Sequence, residues 1–342
     1  MASEVRVNKL TNRSGLGTAT FNDDGSITVA GNFNLNSVTT AARNAGVSTT
    51  VGALIFNTTR NTAQVYTGST DGWVDFGGNE IFEATGGTKD TTSRSGYAVH
   101  TFTSPGTFSV TSGSKSVEYL VVAGGAGGGA DSTNGGGGWV AGGGGAGGLL
   151  ESNNKLISPG SYSVTVGGGG AAGPGPNGDG GVGNNSVFDT STATGGGYGA
   201  GSPSSNNARN GGPGGSGGGA AGGQYGSSTG GPGTQAPSGG ATGYGNDGGT
   251  GGYTRGGGGG GAGGAGSSPP NSSTPGGGGA GRASSITGSS VTYAVGGAVG
   301  PYGGPATAGT SNRGNGGESG VGNAISGAAG GSGIVIIAYP TS

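Results

Sequence analysis

The chain has 342 residues, of which 97 are Gly and 28 are charged (13 Lys/Arg and 15 Asp/Glu), with a formal charge of −2. Glycine stands at roughly four times its usual ~7% share, and so small a net charge is not the signature of a disordered tail. No Lys/Arg-rich run is present, which argues against a nucleic-acid partner because phosphate neutralisation needs clustered cations. The absence of Cys excludes disulfides and thiolate metal sites.

Composition breaks near Gly96: residues 1–95 hold 12 Gly and 15 charges, residues 96–342 hold 85 Gly and 13 charges. The first part reads as short strands. Val5 to Leu10 begins with the alternation of a half-buried strand. Thr18–Phe21 and Ser26–Val29 flank Asn22-Asp23-Asp24-Gly25, whose Asp-Gly supplies the positive φ of a hairpin turn. A second hairpin joins Gly52–Asn57 to Ala63–Tyr66, and Gly72-Trp73-Val74-Asp75-Phe76 follows it. Residues 38–45 can form one helical turn. Two lone hairpins bury little in water, so this region, residues 1–80, is expected to oligomerise or to dock on a partner. Residues 81–96 are polar and small, and read as a linker.

The second part, 97–342, opens and closes with strands: Tyr97–Phe102, Gly106–Val110 and Ser116–Ala123 at one end, Gly333–Tyr339 at the other. Ser161–Val166 and Val291–Val295 lie between. The apolar runs 119–123 and 334–338 imply strands buried on both faces, and each is the expected partner of the other. Glycine runs recur at 124–129, 135–138, 142–148, 167–170, 195–197, 211–223, 256–264 and 276–281. Runs such as Gly256–Gly261 break any Gly-X-Y triplet, which excludes collagen. The expected architecture is mainly β with little or no α: N-terminal β-hairpins plus a C-terminal array of packed polyglycine-II-like helices closed by a small sheet. Without Cβ atoms, neighbouring backbones can approach and bond laterally.

Little in the chain points to covalent chemistry, and no cofactor or metal is expected. His100 is the single histidine, sits mid-strand and reads as structural. G-x-G-x-x-G matches follow from composition, and no Gly-Lys pair exists for a P-loop. Asn22–Gly25 lacks the downstream Glu of a calcium loop, and Gly245–Gly249 is a single copy of a motif that needs stacking. The carboxylates Asp179, Asp189 and Glu318 are not paired in sequence. More informative are aromatics and arginines that interrupt the glycines, since both serve as anchors of binding surfaces and Tyr or Trp faces suit stacking on sugars. The candidates are Tyr198, Arg209, Tyr225, Tyr244, Tyr253, Arg255, Tyr302 and Arg313; Trp139, in the first glycine stretch, reads as a gap-filler.

Several segments carry a resemblance. Thr101–Phe108, Val117–Gly125, Gly142–Leu149, Tyr162–Gly167 and Gly331–Ile337, in that order, resemble the glycine-rich domain of phage tail-fibre and appendage proteins over about 97–340. More loosely, the glycine-rich part is similar to the tip adhesins of T-even-like phages. Gly52–Thr59, Val65–Gly68 and Trp73-Val74 resemble the hairpins of trimeric phage fibres. The resemblance implies a non-enzymatic virion structural protein, a homotrimer attached to other tail or fibre proteins, whose glycine-rich loops bind a host surface glycan or outer-membrane protein. It also implies synthesis in the host cytoplasm and release by lysis, consistent with the lack of an apolar signal segment after Met1. A purely structural decoration or self-assembling filament is the alternative. An ice-binding role would require regular Thr/Ala ranks, which the irregular loops do not supply.

Overall fold

The strands that alternate in sequence pair in the computed structural model, which describes residues 9–11, 18–21, 27–30, 35–46, 50–68, 72–75, 81–132, 139–202, 209–223, 228–252 and 254–341. The chain divides into two compact units, Met1–Ile81 and Phe82–Ser342.

The first unit holds β1 (Lys9–Thr11), β2 (Thr18–Phe21), β3 (Ile27–Ala30), β4 (Asn36–Val38), α1 (Thr40–Asn44), β5 (Leu54–Asn57), β6 (Thr62–Tyr66) and β7 (Trp73–Asp75). β1-β2-β3 and β4-β5-β6-β7 form separate sheets. Both expected hairpins pair, β2 with β3 and β5 with β6. The turn 22–25 and residues 5–8 lie outside the described residues. Thr39 caps α1 by accepting from the Ala42 amide, satisfying one orphan donor of the first turn. A polar ladder crosses the second sheet. Asn57 Nδ2 donates to Gln64 Oε1 (2.9 Å), Gln64 Nε2 donates to Asp75 Oδ1 (2.6 Å), and Arg60 closes it on Asp75 Oδ2 (3.0 Å).

In the second unit, residues 81–96 are not a linker. They contribute β8 (Glu83–Thr85) and β9 (Thr88–Asp90), one to each of two sheets. The strands that follow are β10 (Tyr97–Phe102), β11 (Gly106–Ser112), β12 (Lys115–Val122), β13 (Leu149–Ile157), β14 (Gly160–Thr165), β15 (Ser186–Phe188), β16 (Ser191–Ala193), β17 (Thr242–Tyr244), β18 (Arg282–Ser284), β19 (Val291–Tyr293) and β20 (Ile334–Pro340). A six-stranded sheet runs β17-β13-β12-β20-β10-β9, a five-stranded sheet β16-β15-β14-β11-β8, and β18-β19 is a hairpin. The expected pairing of the two apolar runs is present: β12 and β20 are antiparallel, Tyr119 opposite Ile337 and Val122 opposite Ile334. β20 is central and buried on both faces, as its unbroken apolar sequence requires.

One face of the six-stranded sheet packs on the five-stranded sheet, with Tyr119, Val121, Val335 and Ile337 meeting Phe108, Val164 and Phe188. The other face, through Leu120, Val122, Leu149 and Ile336, packs on Ile286, Tyr293 and Ala294. His100 lies in the first layer, fully buried, edge-on to Phe108 and stacked on Tyr339. Its Nδ1 meets the Gly86 carbonyl at 2.7 Å. A carbonyl only accepts, so Nδ1 carries the proton and Nε2 accepts from the Tyr339 hydroxyl at 3.1 Å.

The packed polyglycine-II-like helices expected for this unit are not seen. Strands make up 32% of the described residues and helix 2%, and the one helix among them is α1. Several of the glycine runs are prolongations of sheet strands, which set their positions. β12 runs into 123–131, and 142–148 leads into β13. Their backbones bond sideways. In 124–131 the amides of 124, 127 and 130 donate to the carbonyls of 184, 181 and 178. Those of 125, 128 and 131 donate to 331, 328 and 325, and those of 126 and 129 to 145 and 142. The carbonyls of the same run accept from 196–202, 170–173 and 317–320. Every inward donor finds a partner, as buried backbone requires.

The spacing between runs leaves no room for side chains at particular positions. A Cβ on Gly278 would overlap the carbonyl oxygen of Gly296, whereas one on the adjacent Gly277 would come no nearer than 3.9 Å to any atom, the Ser267 hydroxyl. Gly278→Ala should therefore cost about 1–3 kcal/mol of stability. Gly277→Ala should be neutral or add up to about 1 kcal/mol by restricting the unfolded chain; denaturant midpoints of the two variants make the comparison.

Burial of His100 pushes its pKa below the ordinary 6.5, against the smaller opposing effect of the Gly86 carbonyl. A depressed folded pKa means that the unfolded chain takes up the proton first. The stability is fully present above about pH 6.5 and is lost as pH falls below it, by at most about 1.4 kcal/mol per pH unit. The thermal midpoint should drop between pH 6.5 and 5. His100→Gln, which keeps a donor for Gly86 but does not titrate, should flatten that slope.

Candidate functional site

A cavity ringed by polar and charged side chains lies where the six-stranded sheet meets the hairpin β18-β19. The register places Leu120 opposite Glu151, and Leu149 and Glu151 opposite Tyr244 and Thr242. Directly opposed residues share a face, so Glu151, Thr242 and Tyr244 lie on the face that carries Leu120. Glu118, two residues before Leu120, lies there too. Here the apolar pattern gives way to charge at the sheet's margin, and Arg94 and Arg282 close over it. The resulting cleft measures about 490 Å³, within the range that holds small ligands. Ser152, Asn153, Ser284 and Ser285 complete its wall.

Two ion pairs define it. Arg94, from the turn before β10, makes a two-pronged bridge to Glu118: Nη1 to Oε2 at 2.7 Å and Nη2 to Oε1 at 2.9 Å. Its Nη1 also reaches the Ile286 carbonyl (3.4 Å), and its guanidinium lies 3.6 Å over the Tyr97 ring. Donating to Glu118 raises the Arg94 pKa further, so the guanidinium stays charged. On the opposite wall Arg282 Nε donates to Glu151 Oε2 at 2.7 Å, and Nη2 donates to the Tyr244 hydroxyl at 3.0 Å. The Arg282 guanidinium covers the Tyr244 ring at 3.7 Å. Part-buried pairs of this kind, each with a cation–π contact and the first also bidentate, hold their side chains in place more firmly than open surface bridges.

Of the residues singled out in sequence, Tyr244 belongs to this cleft. Its ring face is covered by Arg282 and is not open for stacking. Tyr198 is half-buried with its ring against Gly212, where a Cβ would overlap it. Arg209 ties three segments together, donating to Asp179 Oδ2 and the Asn177 carbonyl at 2.6 Å each and to the Gly201 carbonyl at 3.3 Å. Arg255 Nε donates to the Ser272 carbonyl (3.1 Å). Arg313 donates to the Thr292 carbonyl (3.3 Å) and lies 5.2 Å over the Tyr293 ring. Tyr302 stands 72% exposed on a turn. Tyr225 and Tyr253 lie outside the described residues. No hydrogen bond, ion pair or ring contact among the described residues joins any two of the six that are placed. Asp189 pairs with Lys155 at 2.9 Å, and Glu318 accepts from the Thr307 amide at 2.9 Å.

The sequence reading missed Arg94, Glu118, Glu151 and Arg282. The available signal was a carboxylate embedded in each of two strongly apolar strands, Val117-Glu118-Tyr119-Leu120 and Leu149-Leu150-Glu151, in a region holding only 13 charges over 247 residues (96–342).

Arg209 reads from these bonds as an internal clamp. Arg209→Met should lower stability by about 1–2 kcal/mol, the scale of lost hydrogen bonds from a charged donor, in a urea titration.

The chain's relationships agree with its composition. No curated protein matches it. A glycine-rich domain family model matches residues 101–340, which takes in nearly all of the second unit, and the chain belongs to that glycine-rich domain family.

Proposed function

We propose that the chain is a structural and adhesive component of a phage tail fibre or appendage, in which the glycine-rich unit presents a binding surface to a host glycan or outer-membrane protein. Recognition is non-covalent. The first unit serves trimer formation or attachment to other tail or fibre proteins, and the protein resides in the virion.

The observation that carries this reading is the cleft of Arg94, Glu118, Glu151 and Arg282, built on a body whose glycine segments are bonded laterally to one another. A surface that must hold its shape before contact benefits from side chains already fixed by their own partners, because little is left to immobilise on binding. Membership of the glycine-rich domain family supports the body's role as a scaffold, and the ordered succession of matching segments supports the tail-fibre context.

Antibody raised against the purified chain should label tail appendages of particles produced from the genome that encodes it. Monovalent fragments of that antibody should reduce adsorption at least tenfold. Unlabelled particles would remove the virion assignment; labelled particles that adsorb normally would leave a decoration and remove the receptor-binding role.

A further inference from the structure

We infer that the cleft takes an uncharged sugar, gripped through two adjacent hydroxyls that bridge Glu151 and Arg282; this deepens the adhesin reading and rests on it. The two ion pairs lining the cleft differ in how much of their capacity is used. Arg94 and Glu118 are closed on each other: both carboxylate oxygens accept from the guanidinium, whose remaining reach goes to the Ile286 carbonyl and the Tyr97 ring. That pair is a wall.

Arg282 and Glu151 are half-used. Nε and Nη2 of Arg282 are engaged by Glu151 Oε2 and Tyr244, while Nη1 and the second carboxylate oxygen, Oε1, have no partner among the described residues. The side chains are 36% and 25% exposed. A strong donor and a strong acceptor therefore border the same opening, each fixed by its other bonds. A pair of neighbouring sugar hydroxyls matches that arrangement, since each hydroxyl can both donate and accept: one donates to Glu151, the other accepts from Arg282.

The remaining features select among ligands. The four charges lining the cleft sum to zero, with both arginines already neutralised by carboxylates. A phosphate or uronate would have to displace Glu118 or Glu151 or sit beside them, so anions are disfavoured. Tyr97 and Tyr244 give ring faces to arginine, which leaves no platform there for a flat aromatic ligand. The other wall groups, Ser152, Asn153, Thr242, Ser284 and Ser285, are neutral hydroxyls and an amide, which suit further ring hydroxyls. Recognition here is by hydrogen bonds, in contrast to the stacking on open tyrosine faces expected from sequence.

The test is amide-resolved NMR of the full ¹⁵N-labelled chain titrated with the methyl glycosides of glucose, galactose, mannose and N-acetylglucosamine, and with methyl glucuronide. At least one neutral glycoside should shift Thr242, Ser284 and Ser285 saturably, with a dissociation constant of about 1–10 mM, as expected of a single weak subsite. Glu151→Gln should weaken that binding at least tenfold while leaving amide shifts elsewhere unchanged. Methyl glucuronide should bind at least tenfold more weakly than its neutral counterpart. No saturable shift with any neutral glycoside, shifts confined to other surfaces, an unaffected Glu151→Gln variant, or equal binding of the glucuronide would each overturn the inference. Its failure is separable from that of the adhesin reading. Glycoside binding by a chain absent from virions would retain the subsite, and antibody-blocked adsorption without glycoside binding would retain the adhesin.

Discussion

Everything in the second unit depends on backbone-to-backbone hydrogen bonding between segments that lack side chains at their contact positions. An extended run of glycine has no internal hydrogen bonds to make, so each amide and carbonyl must find a neighbour or remain in water. In 124–131 the donors rotate through three neighbouring segments and the acceptors through three more. Such sharing works only if the neighbours approach to bonding distance, and a Cβ at most of these positions would collide with a carbonyl. The constraint explains why glycine is so abundant and why it is unevenly tolerant: Ala280 occupies an exposed position three residues after Gly277, whose own Cβ would find space.

That arrangement is entropically expensive, since glycine loses more freedom than any other residue on ordering. The two sheets supply the compensation. Apolar side chains fill both faces of β20 and β12, and each fully buried Leu, Ile or Phe contributes about 1.5–3 kcal/mol. Because several glycine segments leave or enter these strands directly, fixing the strands also brings the segments into register. The sheets and the glycine segments therefore form one cooperative unit, with the apolar layer fixing positions and the lateral bonds using them.

The strands with two-sided apolar sequence were legible, as was the pairing of 119–123 with 334–338, because continuous burial leaves an unmistakable composition. The hairpins of the first unit were legible through their turn residues. The linker reading of 81–96 failed because Glu83–Thr85 and Thr88–Asp90 are short edge strands, whose partially exposed positions tolerate polar residues. β13 was missed for a similar reason. Its middle, Ser152-Asn153-Asn154-Lys155, faces solvent and carries no apolar alternation. The helical expectation for the glycine runs treated them as independent elements, whereas several are continuations of strands. Of the cleft, only Tyr244 was foreseen, since Arg94, Glu118, Glu151 and Arg282 are separated by as many as 188 residues (94 to 282) and meet only through sheet register and hairpin packing.

The same scarcity of side chains that permits close approach also shapes where recognition can occur. A surface of bare glycine offers backbone groups that are already bonded and little contact area. Chemical selectivity must come from the few places where long side chains are admitted, and there they need neighbours to hold them. Arg209 meets that need by binding two other segments, 177–179 and 201, at the cost of the freedom a ligand-contacting arginine would use. Arg94 is similarly committed. Arg282 differs because it is fixed by Glu151 and Tyr244 while keeping one face toward an open cleft. A fixed side chain with residual bonding capacity can recognise a ligand without first being ordered. By this criterion the seam between β17 and β18, more than the exposed aromatic tips of the loops, is where this body is equipped to discriminate among ligands.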